Sequence, residues 1–142
     1  MKRGTLLLVA IMFVLSTAAW AYTPIGNGCH YTPGYWKNHP QAWPTTSLMF
    51  GGVVYNQTQL IEILSRPVRG DATVILAHHL IAAILNVDNG GDMSISAAIA
   101  EGVRLLSLYP IGSNPSDPAR QEILDVKDLL CAYNEMRVPG CK

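Results

Sequence analysis

The segment DATVILAHHLIAAILN, residues 71–86, decides the fold. Its apolar residues recur at helical spacing and cover well over half of a helical wheel, which is typical of a largely buried helix. Asp71 is a suitable N-cap, and Asn89-Gly90-Gly91 follows as a stop signal. The sequence therefore predicts a central buried helix over 71–86. Its polar residues share one narrow arc, formed by Asp71, His78, His79 and Asn86.

Three further segments after residue 56 have the same helical period. They are predicted over 58–65, over 94–108, and from the Ser116-Asp117-Pro118 cap to about Glu135. A strand pattern competes with them only at 52–55, which is too short for a sheet. We therefore expect an all-α fold in which about four helices pack around the central helix.

Residues 22–55 differ in composition from the helical segments. They contain four prolines, five glycines and seven of the nine aromatic residues found after residue 21. Prolines at this density disfavour helix interiors and central strands. We expect an irregular aromatic arm over 22–55 that packs its rings over a helical body over 56–142, within one domain.

The first 21 residues have the pattern of a signal peptide. Lys2 and Arg3 precede an apolar stretch from Leu6 to Leu15, and Ala19-Trp20-Ala21 resembles a cleavage site. The stretch is well short of the roughly 20 residues that span a bilayer. We expect cleavage after Ala21 and a secreted protein without a membrane span, extracellular or periplasmic if the source has an outer membrane.

Charge argues against a polyanionic partner. The chain has 10 basic and 10 acidic residues, and no run of lysine or arginine. Nucleic-acid binding needs a basic footprint, so we expect no nucleic-acid partner.

Three cysteines, Cys29, Cys131 and Cys141, follow the predicted cleavage site. A Cys29–Cys141 disulfide closes a loop of over 100 residues, worth about 4 to 5 kcal/mol by chain entropy. Pairing of Cys131 with Cys141 competes with it, because Pro139-Gly140 offers a turn. One cysteine remains unpaired in either case, and we expect it to be Cys131. The protein is then either a monomer with a free thiol or a dimer linked through that cysteine.

Four stretches carry a resemblance to a family: CHYTPGYWKNHPQAWP at 29–44, GGVVY at 51–55, PVRG at 67–70 and LAHHLIAAILN at 76–86. They resemble a small secreted bacterial domain with a Cys and TPGYWKNHP, a GGxxY segment, a PxRG turn and an LAHxLIAAxLN helix. The resemblance spans most of residues 22–142. It implies an exported or cell-surface protein and no known catalytic activity.

Particular positions agree with or depart from that family. Cys29 and Cys141 match its cysteines and Cys131 does not, so the resemblance implies the Cys29–Cys141 pair. His79 stands where the family often has glutamine, and Ile84 where it often has lysine.

The histidines raise the hypothesis of a metal site. His39 and His78 are the candidate ligands, with Asp71 or the thiol of Cys131 to complete the set. His78 and the adjacent His79 point about 100° apart on a helix, so they do not share an ion easily. We expect instead that His78 binds a backbone group or hydroxyl of the arm and pins it to the central helix.

The arm also contains a candidate ligand surface. Tyr35, Trp36 and Trp43 suit stacking on a sugar ring or a proline-rich peptide, and Lys37, Asn38 and His39 form its polar edge. The alternative, which we favour, is that these rings cover the core.

Motifs of catalysis are missing from the sequence: it contains no HExxH, nucleophile elbow or phosphate loop. We expect a non-catalytic structural or interaction module of the bacterial surface or extracellular space, with no cofactor and an extracellular protein or glycan as partner. The alternative is a metal- or carbohydrate-binding protein that uses His39, His78, Trp36 and Trp43.

Overall fold

A computed structural model describes residues 26–142 of the chain. The predicted signal peptide, 1–21, lies outside the described residues. The described part is mostly helical, as predicted, and none of its helices is long and apolar enough to cross a membrane. In chain order the elements are α1 (Pro33–Asn38), β1 (Ser47–Phe50), β2 (Val53–Asn56), α2 (Gln57–Ser65), α3 (Ala72–Asp88), α4 (Ser96–Leu108) and α5 (Ala119–Asn134).

Helix α3 contacts four of the other helices. It begins where predicted, because the Asp71 carboxylate accepts a hydrogen bond of 2.9 Å from Thr73 N. Leu76, Leu80 and Ile81 on this helix are fully buried. Burial of such side chains is the main favourable contribution to folding.

Helix α4 approaches α3 closely at Gly102. A Cβ at this position would lie 3.2 Å from Leu80 Cδ1, and 3.7 Å from the Cδ1 atoms of Leu76 and Leu130. Glycine lowers helix propensity by about 1 kcal/mol relative to alanine. Here it leaves room for the leucines of α3 and α5 against α4.

Local capping determines where α2 begins. The Asn56 side chain accepts from Gln59 N, and the Gln59 side chain accepts from Asn56 N, both at 2.9 Å. This reciprocal arrangement is a capping box. It places the helix at Gln57–Ser65, within one residue of the predicted 58–65.

The prediction that the protein lacks a sheet is wrong, because β1 and β2 form an antiparallel hairpin. Gly51 and Gly52 join the strands, with φ of 59° and 74°. Two positive φ values in a two-residue loop match the twist of a hairpin. Leu48 and Phe50, at alternate positions of β1, are buried. A strand of four residues is therefore long enough to pack against the core.

The arm is also more regular than predicted, because it contains α1. Thr32 caps this helix by accepting from Tyr35 N, and Pro33 occupies the first turn. Proline is favoured there, since that N–H lacks a helical partner in any case. The proline density of the arm therefore marks a helix start as well as loops.

Candidate functional site

The arm is attached to α3 through a fully buried asparagine, Asn86. Its Oδ1 accepts from Tyr31 N at 2.8 Å and from Trp36 Nε1 at 3.1 Å. Its Nδ2 donates to Tyr31 O and to Asn134 Oδ1, both at 2.9 Å. These four bonds use the full capacity of the amide. Asn86 therefore joins the arm, α3 and α5.

A second asparagine, Asn89, extends this attachment to the start of the described chain. Its Nδ2 donates to Asn27 Oδ1 at 2.7 Å and to Cys29 O at 3.1 Å. Its carbonyl oxygen accepts from Gly28 N at 2.9 Å. The arm thus follows the last turns of α3 through polar contacts.

The two tryptophans of the predicted ligand surface are occupied by the protein itself. Trp36 is 1% exposed, and its indole N–H donates to Asn86. Trp43 is half-buried, and its Nε1 donates to Trp36 O at 2.8 Å. Trp36 thus covers the core, which is the interpretation that the sequence analysis favoured for these rings.

Three half-buried rings, which we call the ring ladder, run along α1: Tyr31, Tyr35 and His39. The Tyr31 and Tyr35 centroids are 3.9 Å apart and the Tyr35 and His39 centroids 4.1 Å, with interplanar angles of 13° and 17°. Two parallel rings at these distances must lie on opposite faces of Tyr35. Tyr31 was not among the residues predicted for this surface, because it precedes α1 and helical spacing did not identify it.

Hydrogen bonds hold the ladder and its polar neighbours in place. His39 Nδ1–H donates to Tyr35 O at 2.8 Å, and Asn38 Nδ2 donates to Gly34 O at 3.0 Å. Desolvation raises the pKa of Tyr35, and the neighbouring Tyr31 phenol raises it further. Tyr35 therefore carries a neutral hydroxyl group at physiological pH. Lys37 is half-buried on the same helix.

His78 does not bind the arm, contrary to the sequence prediction. Its Nε2–H donates to Ile63 O at 2.7 Å and so joins α3 to the end of α2. The prediction was wrong because the carbonyl that accepts from this imidazole belongs to α2 and not to the arm. Burial lowers the pKa of His78; the Ile63 carbonyl opposes this shift, and Lys37 lowers the pKa further. A neutral imidazole suits a donor to a carbonyl.

The candidate metal ligands have different partners. His39 binds the Tyr35 carbonyl and His78 the Ile63 carbonyl, while Asp71 caps α3. Burial lowers the pKa of His79, as do Lys127 and His78. Across residues 26–142, no group of three or more His, Cys, Asp or Glu side chains could hold a metal ion.

The cysteines agree with the predicted pair. Cys29 and Cys141 form a disulfide with a Cα–Cα distance of 5.7 Å and a sequence separation of 112. Cys131 is a half-buried free thiol. Burial and the Glu135 carboxylate raise the pKa of Cys131, which favours the unreactive protonated form.

The wider comparisons add no functional information: no family model, curated protein or solved structure matches the chain.

Proposed function

We propose that this protein is an exported, non-catalytic interaction module that binds a protein partner through the ring ladder, Lys37 and Asn38. The observation that supports this proposal most is the rigid attachment of a half-exposed aromatic surface. Trp36 anchors α1 in the core, and Asn86 holds both Trp36 and Tyr31. A surface held in this way loses little conformational entropy on binding.

The geometry of the ladder favours a protein over a glycan. A sugar ring stacks on a free aromatic face, whereas both faces of Tyr35 are covered by Tyr31 and His39. The ladder offers ring edges and tyrosine hydroxyls instead. Aromatic residues of this kind are enriched at the centres of protein interfaces.

The alternative of a metal or carbohydrate site at His39, His78, Trp36 and Trp43 has less support. His78 and both indole N–H groups are already hydrogen-bonded within the protein. Trp36 is buried, so its ring faces are not open to a ligand, and the described residues contain no group of three or more His, Cys, Asp or Glu side chains that could hold a metal ion.

A crosslinking experiment in producing cells tests the proposal. We place a benzophenone amino acid at exposed Asn38 and, as a matched control, at exposed Gln121 on α5. We expect a protein adduct from position 38 only, reduced at least tenfold by Tyr35→Ala or His39→Ala. Tyr109→Ala, which alters a half-buried tyrosine at the end of α4, is expected to leave it unchanged.

Three outcomes would contradict this function: equal adducts from both positions, a glycan adduct, or an adduct indifferent to Tyr35→Ala. Thermal melting of each variant confirms that its fold is retained.

Export is tested separately by intact mass. The Cys29–Cys141 disulfide supports an oxidising compartment, since such bonds persist there. We expect a secreted chain that starts at Tyr22, with one disulfide and one thiol that reacts after denaturation. A cytoplasmic chain that retains residues 1–21 would contradict export.

A further inference from the structure

A second candidate site lies away from α1, in a cleft of about 490 Å³ between two loops. One loop joins α2 to α3 and the other joins α4 to α5. Small-molecule sites usually have volumes of about 300–1,000 Å³. The residues that line the cleft include Arg66, Arg69, Asp71, Val74, Gly112 and Asn114.

The guanidinium of Arg66 packs directly against Gly112. A Cβ on Gly112 would lie 2.7 Å from Arg66 Nη2 and 3.2 Å from Cζ, and the φ of this glycine is 91°. Gly112 N donates to Thr73 Oγ1 at 2.8 Å, and Thr73 Oγ1 donates to Asp71 Oδ1 at 2.7 Å. These contacts fasten the second loop to the first turn of α3, and the exposed Arg66 lies against that loop.

Arg69 extends the positive charge along the cleft. Its φ is 45° and that of Asn114 is 47°, and within residues 26–142 these are the two non-glycine residues with positive φ. Backbone strain of this kind is concentrated at functional sites. Arg120 Nη1 donates to Gly70 O at 2.7 Å, which joins α5 to this loop, but Arg120 does not line the cleft.

These arginines differ from Arg104 on α4, which pairs with Glu101 and Glu122. In the described part of the chain, Arg66, Arg69 and Arg120 have no carboxylate oxygen within 4 Å. Among the cleft-lining residues, Asp71 alone is acidic. Two lining guanidinium groups against one carboxylate leave a net charge of about +1, which suits a monoanion.

We propose that this cleft binds the carboxylate of a sugar acid of the uronic-acid class. Arg66 and Arg69 bind the carboxylate, because a guanidinium matches its planar geometry with paired N–H donors. The Asp71 carboxylate accepts hydrogen bonds from the sugar hydroxyls, and the Asn114 amide accepts and donates them. A phosphate dianion fits less well, since it adds a second charge beside the Asp71 carboxylate.

An NMR titration of the disulfide-bonded protein with galacturonate tests this proposal. We expect saturable amide shifts confined to 66–74 and 112–114. Galactose and the methyl ester of galacturonate, which lack the carboxylate, are expected to bind at least tenfold more weakly. Inorganic phosphate forms a separate arm and is expected to bind more weakly than galacturonate.

Arginine variants identify the binding groups. Arg66→Gln and Arg69→Gln are each expected to weaken galacturonate binding about tenfold, as loss of a charged hydrogen bond does. Arg137→Gln removes the same charge from an exposed residue outside this cleft and is expected to change affinity less than twofold.

The proposal is overturned by the absence of saturable shifts at millimolar galacturonate, or by equal binding of the methyl ester. Tighter binding of phosphate overturns the assigned ligand class, and an equal effect of Arg137→Gln overturns the site. Thermal melting of the arginine variants separates loss of binding from loss of fold.

Discussion

The described part of the arm, residues 26–55, and the helical body, α2 to α5, are stabilised by different sets of contacts. Leu80, Leu105 and Leu130 in the body are fully buried and pack as an apolar core. The arm adds Trp36, Leu48 and Phe50 to that core, and it is also joined to the body by the amides of Asn86 and Asn89 and by a disulfide. The difference teaches that apolar patterning reports how the helices pack, while the place of the arm depends on single polar residues as well as on its buried side chains.

This division also bears on function. Burial of Trp36 and the bonds of Asn86 hold the ring ladder at the surface of a fixed element. The cleft at Arg66, in contrast, is formed by loops of the body. Substitutions can therefore alter the two candidate sites independently. They can likewise alter the contacts of the arm and those of the body independently.

The largest expected effect comes from removing the disulfide that joins the arm to the C-terminal segment. Cys29→Ser with Cys141→Ser is expected to lower the free energy of unfolding by about 4 kcal/mol, because the bond closes a loop of over 100 residues. Urea unfolding measures this change. Cys131→Ser is the control, with an expected change below about 1 kcal/mol. A double variant as stable as the parent would show that the arm does not need this link.

Asn86→Ala is expected to cost about 3 kcal/mol, because it leaves buried donors and acceptors at Tyr31 and Trp36 without partners. Asn38→Ala, at an exposed asparagine of α1, is the control, with an expected cost below about 1 kcal/mol. Hydrogen exchange then sharpens the comparison. We expect the amides of the arm to lose protection while those of α4 and α5 keep it. Equal loss in both regions would mean that the arm and the body unfold as one unit.

Gly102→Leu tests the body alone. The new side chain must displace the tip of Leu80, so we expect a loss of about 2 kcal/mol from overpacking. Ala100→Leu adds the same kind of side chain at an exposed position of α4 and is expected to change stability by less than about 0.5 kcal/mol. A neutral Gly102→Leu variant would show that α4 does not pack closely on α3.

The smallest expected effect is a dependence of the free energy of unfolding on pH. It arises from His78 and His79, two titratable residues of the helical body. Burial lowers the pKa of both below the ordinary value of 6.5, so the unfolded chain binds more protons as the pH falls. The free energy of unfolding is expected to decrease from pH 7 downward, until the pH falls below their pKa values in the folded protein. His79→Gln is expected to reduce this slope in urea unfolding, and Asn38→Ala to preserve it. An unchanged slope in His79→Gln would exclude His79 as its source.

Much of the helical body was predictable from nearby residues. Asp71 caps α3 as expected, and α2 lies within one residue of its predicted bounds. The hairpin was missed although Gly51-Gly52 was its signal, and α1 was missed although Thr32-Pro33 is a favoured helix start. In both cases the prediction relied on the overall number of glycines and prolines in the segment. It did not use the conformational preferences of the particular pairs Gly51-Gly52 and Thr32-Pro33.

The candidate site was predicted less completely. The sequence identified the segment from Tyr35 to Trp43, but it did not separate the rings that cover the core from those that reach the surface. Trp36 and Tyr35 are adjacent, and only packing makes the first buried and the second half-exposed. The same limit applies to His78, whose partner depends on which helix lies beside it.

The sequence by itself determined the helices of the body, because caps and apolar periodicity act over a few residues. The tertiary structure alone decided the partners of Asn86, the attachment of His78 to α2 and the assembly of the arginine cleft. Asn86 and Tyr31 are 55 residues apart, and Arg66 packs on a glycine 46 residues further along the chain. The physical reason is that a hydrogen bond of about 3 Å between distant residues depends on the relative placement of whole elements, which local sequence does not specify.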